Sequence, residues 1–283
     1  METFYKIIFI FFFITSFGQN KQPYQIFDKN GSKTSYDKLL KSALKSKVVL
    51  FGELHDNSII HWLELKFAKD IAAKTDIVIG TEMIETDNQR QLDAYLKGQI
   101  NQKVLDSTAR LWPNYKTDYK PIIDFAKENK YKVIATNIPR KYASLVFKKG
   151  LEELDKLTFD EKKLMAKLPI EFDLNLPGYT AMLSMQGVHA GDKMPKAQAI
   201  KDATMASFII KNTKDDAVFI HYNGTYHSEN FEGIYWYLKQ QDAGMAIVTI
   251  ATVEQENIDK LEKENEGKAD YIIVIDKDVT KTY

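Results

Sequence analysis

A chain of 283 residues, 44% hydrophobic and 28% charged, can bury the core of one large domain or of one domain with an insertion. Lys+Arg and Asp+Glu both number 39, so no bulk basic field argues for nucleic acid as a partner. There is no cysteine, which excludes disulfides, thiolate metal sites, a cysteine nucleophile and a lipidated cysteine.

Residues 1–18 read as a secretory signal: a lysine within Met1–Lys6, an apolar run Ile7–Phe17, then the small residues Ser16 and Gly18 ahead of polar Gln19-Asn20-Lys21. The expected mature chain, 19–283, is exported, periplasmic or envelope-associated, and has no lipobox cysteine to tether it. Between 19 and 46 the sequence predicts a turn at Asn30-Gly31 and a short helix capped by Ser35. Lys47–Glu53 is a short buried strand that ends in the ionisable cluster Glu53, His55, Asp56 and Asn57. Asn57 or Ser58 then caps a helix to about Lys74, with Ile60, Leu63, Phe67 and Ile71 as its core stripe.

Asp76–Met83 is a second buried strand, ending near Glu82. A helix over Thr86–Lys97, a loop at 111–118 and a helix over Lys120–Lys130 follow. A third strand, Tyr131–Thr136, ends on Asn137-Ile138-Pro139-Arg140. Pro139 suits the first turn of a helix running to Lys149. From about 150 to 211 no strand signal appears; helical segments at Phe159–Leu168, Tyr179–Val188 and Pro195–Ile210 predict an inserted helical cap. Asp216–His221 is a fourth strand and Phe231–Gln240 a helix. Strands at Ala246–Ala251 and Tyr271–Ile275 flank a solvated helix at Glu254–Glu266. This alternation predicts an α/β fold, a mostly parallel doubly wound sheet with an inserted helical cap subdomain.

Four strands deliver polar groups to one sheet edge, where open α/β sheets bind ligands. A His-Glu-His set of His55, Glu82 and His227 could hold Zn²⁺ or Mn²⁺ and leave a position open for water or substrate. In that hydrolase reading Glu53 is the general base and Arg140 stabilises the oxyanion. The bland readings are that His55 caps or packs against the next helix, and that Glu82 forms a structural ion pair with Arg140. His61 lies six residues after His55 on another helix face and stays outside the ligand set, and His227 is preferred to the strand-closing His221. In the helical insertion Tyr179, Met182, Gln186 and His189, with Met185 alongside, form a stripe that is either core or the apolar cover of a porphyrin.

These motifs together resemble the haem-binding uptake/Tiki superfamily, and within it the ChaN-like proteins. The matching pieces are Gly52-Glu53-Leu54-His55-Asp56-Asn57 with His61; Gly80-Thr81-Glu82-Met83; Ala135-Thr136-Asn137-Ile138-Pro139-Arg140; Gln198 with Asp202-Ala203-Thr204-Met205-Ala206; and Gly224-Thr225-Tyr226-His227 with Gly233. They stand in the family's order between about Val48 and Trp236. The resemblance implies an α/β domain with a helical subdomain. It implies haem as the cofactor, a tyrosine ligand in a homodimer, and a role beside an outer-membrane haem or iron transport system. Tyr179, with Met182, Met185 and His189, is the haem-binding set expected here. Other branches are hydrolases, and their working groups match His55, Glu82 and His227.

Overall fold

The computed structural model describes residues 22–185 and 191–283, so the expected signal at 1–18 and His189 lie outside the described residues. The side chain of Met185 is likewise not described.

Strand β1 (Tyr24–Asp28) is followed by α1 (Tyr36–Ala43), whose Ser35 cap accepts from the Lys38 N–H. All six residues of β2 (Val48–Glu53) are buried, as a strand covered on both faces requires. Helix α2 (Ser58–Ala72) starts on Asn57, whose side chain accepts from the Ile59 and Ile60 N–H groups. Then come β3 (Asp76–Glu85), α3 (Gln89–Leu96), α4 (Gln102–Thr108), α5 (Lys120–Asn129), β4 (Lys132–Asn137) and α6 (Arg140–Lys149). The second half holds α7 (Phe159–Lys162), α8 (Pro177–Met185), α9 (Lys193–Asn212), β5 (Ala217–Gly224), α10 (Ile234–Gln241), β6 (Ile247–Gln255) and β7 (Tyr271–Asp276).

The seven strands form one sheet in the order β1-β7-β6-β2-β5-β3-β4, parallel except for the β1–β7 pair. Successive residues of a strand point to opposite faces, and the core divides accordingly. Phe51, Ile79 and Tyr222 pack with Leu63 and Phe67 of α2 and Ile123 of α5 on one face. Leu50, Val78 and Phe219 pack with Met205 and Ile209 of α9 and Leu238 of α10 on the other. The fold is therefore the doubly wound α/β class that the sequence predicts.

Within the expected helical insertion at 150–211, α9 lies against the sheet through Ala203, Ala206 and Ile209, as the crossover helix between β4 and β5. Two expectations change. No α-helix forms over Glu254–Glu266, only a 3₁₀ turn at Lys263–Asn265: β6 runs on to Gln255, and its side chain ties down the following loop by donating to the Asn257 and Lys260 carbonyls. The antiparallel edge strand β1 was not expected at all. Among the described residues no helix is long and apolar enough to cross a membrane.

Candidate functional site

The central strands β2, β5 and β3 end side by side, with Glu53 opposite Gly224 in register. The Gly224 N–H donates to Glu82 Oε2 at 2.7 Å. A Cβ on Gly224 would lie 2.8 Å from His55 Nε2 and 3.7 Å from Glu82 Oε2, so the absent side chain is what lets both groups close on one spot. Gly224→Ala is therefore expected to displace the His55 ring while the fold persists. His55 imidazole NMR shifts identical to wild type would contradict this.

His227 follows β5 and is buried between two carboxylates: Nε2 lies 3.1 Å from Glu82 Oε1 and Nδ1 2.5 Å from Asp202 Oδ1. Burial disfavours a charged ring, but Glu82 and then Asp202 outweigh it and push the His227 pKa up to about 10. Glu82 is buried too, yet His227, His55 and the Gly224 N–H hold it well below the usual carboxylate range. Gly233, at φ +53°, lets the chain close behind this pair; a Cβ there would sit 2.3 Å from the His227 carbonyl oxygen.

The partner of Glu82 is thus His227, and not Arg140 as the sequence reading weighed. Both His227 nitrogens already face a carboxylate, so a metal on this ring would have to displace one of those contacts. Correspondingly, His55, Glu82 and His227 are not among the groups whose ligand atoms all fall within 4.8 Å of one another.

Glu53 is 1% exposed and faces away from solvent, so it is not placed to act as a base on a cavity water. Its Oε1 accepts from His55 Nδ1 at 2.5 Å and from the Tyr119 hydroxyl at 2.7 Å. That contact fixes the proton on Nδ1 and leaves the His55 Nε2 lone pair for the open side. Burial opposes charging His55, but the Glu53 hydrogen bond and the nearby Glu82 outweigh it and raise its pKa. Trp112 packs edge-on against the ring, with centroids 4.8 Å apart. His221, by contrast, is enclosed between Thr136 Oγ1 (2.8 Å) and Asn223 Oδ1 (3.0 Å), and burial lowers its pKa to about 4.

Above His55 and Glu82 opens a cavity of about 1100 Å³. It is walled by Leu111, Trp112, Ile138, Phe147 and Met194, with Arg110, Arg140 and Lys201 among its polar lining. Arg110 is held by Glu85 at 2.8 Å and by Asp87, whereas Arg140 and Lys201 have no carboxylate within 4.0 Å among the described residues. Tyr179 and Met182 do not line this cavity. Both are 3% exposed in a separate packed cluster, and the Tyr179 hydroxyl donates to Asp202 at 2.9 Å. An apolar helical stripe here packs inward rather than over an open mouth, so the expected ligand Tyr179 instead braces the carboxylate that holds His227.

Residues 39–238 match the family described as haem-binding uptake, Tiki superfamily, ChaN. The chain belongs to this family. Among solved structures it is similar to ChaN of Campylobacter jejuni, described by its cofacial heme binding, with a TM-score of 0.66 and 17% identity over 89% of this chain and 96% of that one. A Bacillus cereus protein aligns with a TM-score of 0.50 and 12% identity over 86% of this chain and 92% of that one. At these identities the likeness shows a shared fold. A Vibrio vulnificus MARTX toxin effector domain aligns more loosely, with a TM-score of 0.39 and 16% identity over 71% of this chain and 35% of that one. No curated protein matches the sequence significantly.

Within this ChaN-family chain, His55, Glu82 and Arg140 line one cavity, with His227 behind Glu82 and Glu53 behind His55. The sequence alone assigns no chemical role to Asp202, His61 or Glu64. For the last two a signal was available. Position 61 directly follows Ile60, and 64 directly follows Leu63, so both border the apolar stripe of α2; both are buried polar residues. Such polar groups need partners, and partners mark a site.

Proposed function

We propose that this protein binds haem in the cavity above His55 and serves haem or iron uptake outside the cytoplasm. Family membership supplies the ligand class. The observation that carries the assignment is a single imidazole, its tautomer fixed by Glu53, facing a cavity with apolar walls and two cations that have no carboxylate partner among the described residues. The cavity is at or above the upper end of the roughly 300–1,000 Å³ usual for small-molecule sites.

The donor set fits a porphyrin. His55 Nε2 would hold the iron, Trp112, Leu111, Ile138, Phe147 and Met194 would cover the ring, and Arg140 and Lys201 would take the propionates. Bound haem supplies an iron centre that accepts a neutral imidazole. Glu53 keeps the proton of His55 on the far nitrogen, and Trp112 holds the ring edge-on. The apolar leader at 1–18 supports export, and an exported haem carrier would exchange its cargo with an outer-membrane transport system. A homodimer is part of the same proposal, the similar Campylobacter structure being described by cofacial haem.

Hydrolysis is the second reading, and His55 at the cavity floor, oriented by Glu53 behind it, favours it. In its metal-dependent form, with Zn²⁺ or Mn²⁺ on His55, Glu82 and His227, the ion would have to replace a His227 contact to Glu82 or Asp202.

Ser144 lines the cavity on α6 and is exposed, so a tryptophan there fills the space without entering the core. Wild-type protein is expected to sharpen the Soret band of micromolar hemin, and Ser144→Trp to abolish that change. Equal binding by Ser144→Trp would place haem elsewhere.

A further inference from the structure

Behind the cavity, on the opposite side of Glu53, three ligand atoms converge. His61, Glu53 and Glu64 each offer one atom, all within 4.8 Å of one another and all buried. His61 Nε2 donates to the His55 carbonyl at 3.0 Å, which leaves the Nδ1 lone pair facing inward. Nδ1 lies 3.1 Å from Glu64 Oε2 and 3.5 Å from Glu53 Oε2. Glu53 spends its other oxygen on both His55 and Tyr119, so Oε2 receives no hydrogen bond, and Glu64 Oε1 receives none either. Two buried carboxylates, each with an oxygen that receives no hydrogen bond, beside an imidazole lone pair form a cage for a cation.

We propose that Glu53, His61 and Glu64 form a buried site for a divalent transition metal, separate from the haem cavity. One imidazole and two carboxylates suit Zn²⁺, Mn²⁺ or Fe²⁺ rather than a soft ion, and the absence of thiolates fits the same group. A supporting ring is in place: the His55 carbonyl fixes the His61 tautomer, and Asn114 donates to that carbonyl at 2.9 Å and to Asp118 at 2.7 Å. Asp118 Oδ2 stands 3.6 Å from His61 Nε2. Without the ion, the rival arrangement is a proton on Glu64, whose pKa burial and the adjacent Glu53 push well up. The site goes beyond the haem assignment, and its test uses no haem.

The full-length protein, stripped with chelator, is incubated with Zn²⁺ or Mn²⁺, desalted and assayed for metal. Wild type is expected to retain about one ion per chain, as a structural metal site does. The near-isosteric Glu64→Gln and His61→Gln should lose it, while Ser144→Trp keeps it. The ion should also raise the unfolding temperature of wild type, a readout that needs no variant. Failure of wild type to retain the ion, or the same occupancy in folded Glu64→Gln, overturns the site and leaves the shared-proton arrangement in its place.

Discussion

Glu82→Gln is expected to destabilise the protein by about 3–5 kcal/mol, the usual cost of removing one partner from a buried charge pair. The variant leaves the His227 imidazolium buried with one carboxylate where it had two. It also replaces an acceptor of the Gly224 N–H by an amide. Urea unfolding near pH 6 measures this, and a loss below about 1 kcal/mol, the worth of an exposed pair, would contradict it. The pH dependence separates this cause from simple repacking. His227 has its pKa raised from 6.5 to about 10, so its contribution is complete below pH 6.5, declines above that, and is gone past about pH 10. Glu82 is shifted the other way from 4.5, so its contribution is present above that value and is lost as pH falls through its depressed pKa. The deficit of Glu82→Gln should therefore be largest between about pH 4.5 and 6.5 and shrink towards pH 10. A deficit that does not vary with pH would point to lost packing.

His55→Ala is expected to weaken hemin binding by more than the roughly 10–100-fold that loss of a supporting partner alone costs at a metal site. His55 supplies the donor nitrogen, and Glu53 has no route to replace it, being 1% exposed and turned away from the cavity. Tyr179→Phe should leave the hemin titration unchanged, because that hydroxyl is committed to Asp202 outside the cavity. Loss of the Soret change in Tyr179→Phe with retention in His55→Ala would reverse the assignment. The same His55→Ala protein discriminates the hydrolytic reading: ester turnover by wild type that vanishes in the variant would favour it.

Much of the architecture was legible because its strands are covered on both faces. Val48–Phe51 and Val218–Ile220 are unbroken apolar runs, and such runs ending in polar residues locate the carboxyl edge of a parallel sheet. Asn57 was legible as a cap because a short acceptor side chain before an apolar helix has few other uses. Strand β1 was not, since five residues on an antiparallel edge carry too short a pattern to stand out. The placement of α9 was hidden for a different reason: its small residues Ala203 and Ala206 pack closely on the sheet without forming a strong apolar stripe.

Within the site, the convergence of His55, Glu82 and His227 followed from strand ends alone. Which groups pair did not. Glu82 meets His227 rather than Arg140 because the 3₁₀ turn that directly follows β5 brings the ring to Glu82 at the sheet edge. Tyr179 and Glu53 were misjudged on burial, which depends on what packs over a residue and not on its own type. His61 and Glu64 illustrate the reverse case, in which burial turns ordinary helix residues into candidate ligands.

The most direct test of the account is to locate the iron. Crystals of the hemin-loaded protein, measured at the iron absorption edge, are predicted to show an anomalous peak in the cavity at bonding distance from His55 Nε2. A peak beside Tyr179, a peak on the outer surface, or loaded crystals with an iron-free cavity would contradict it.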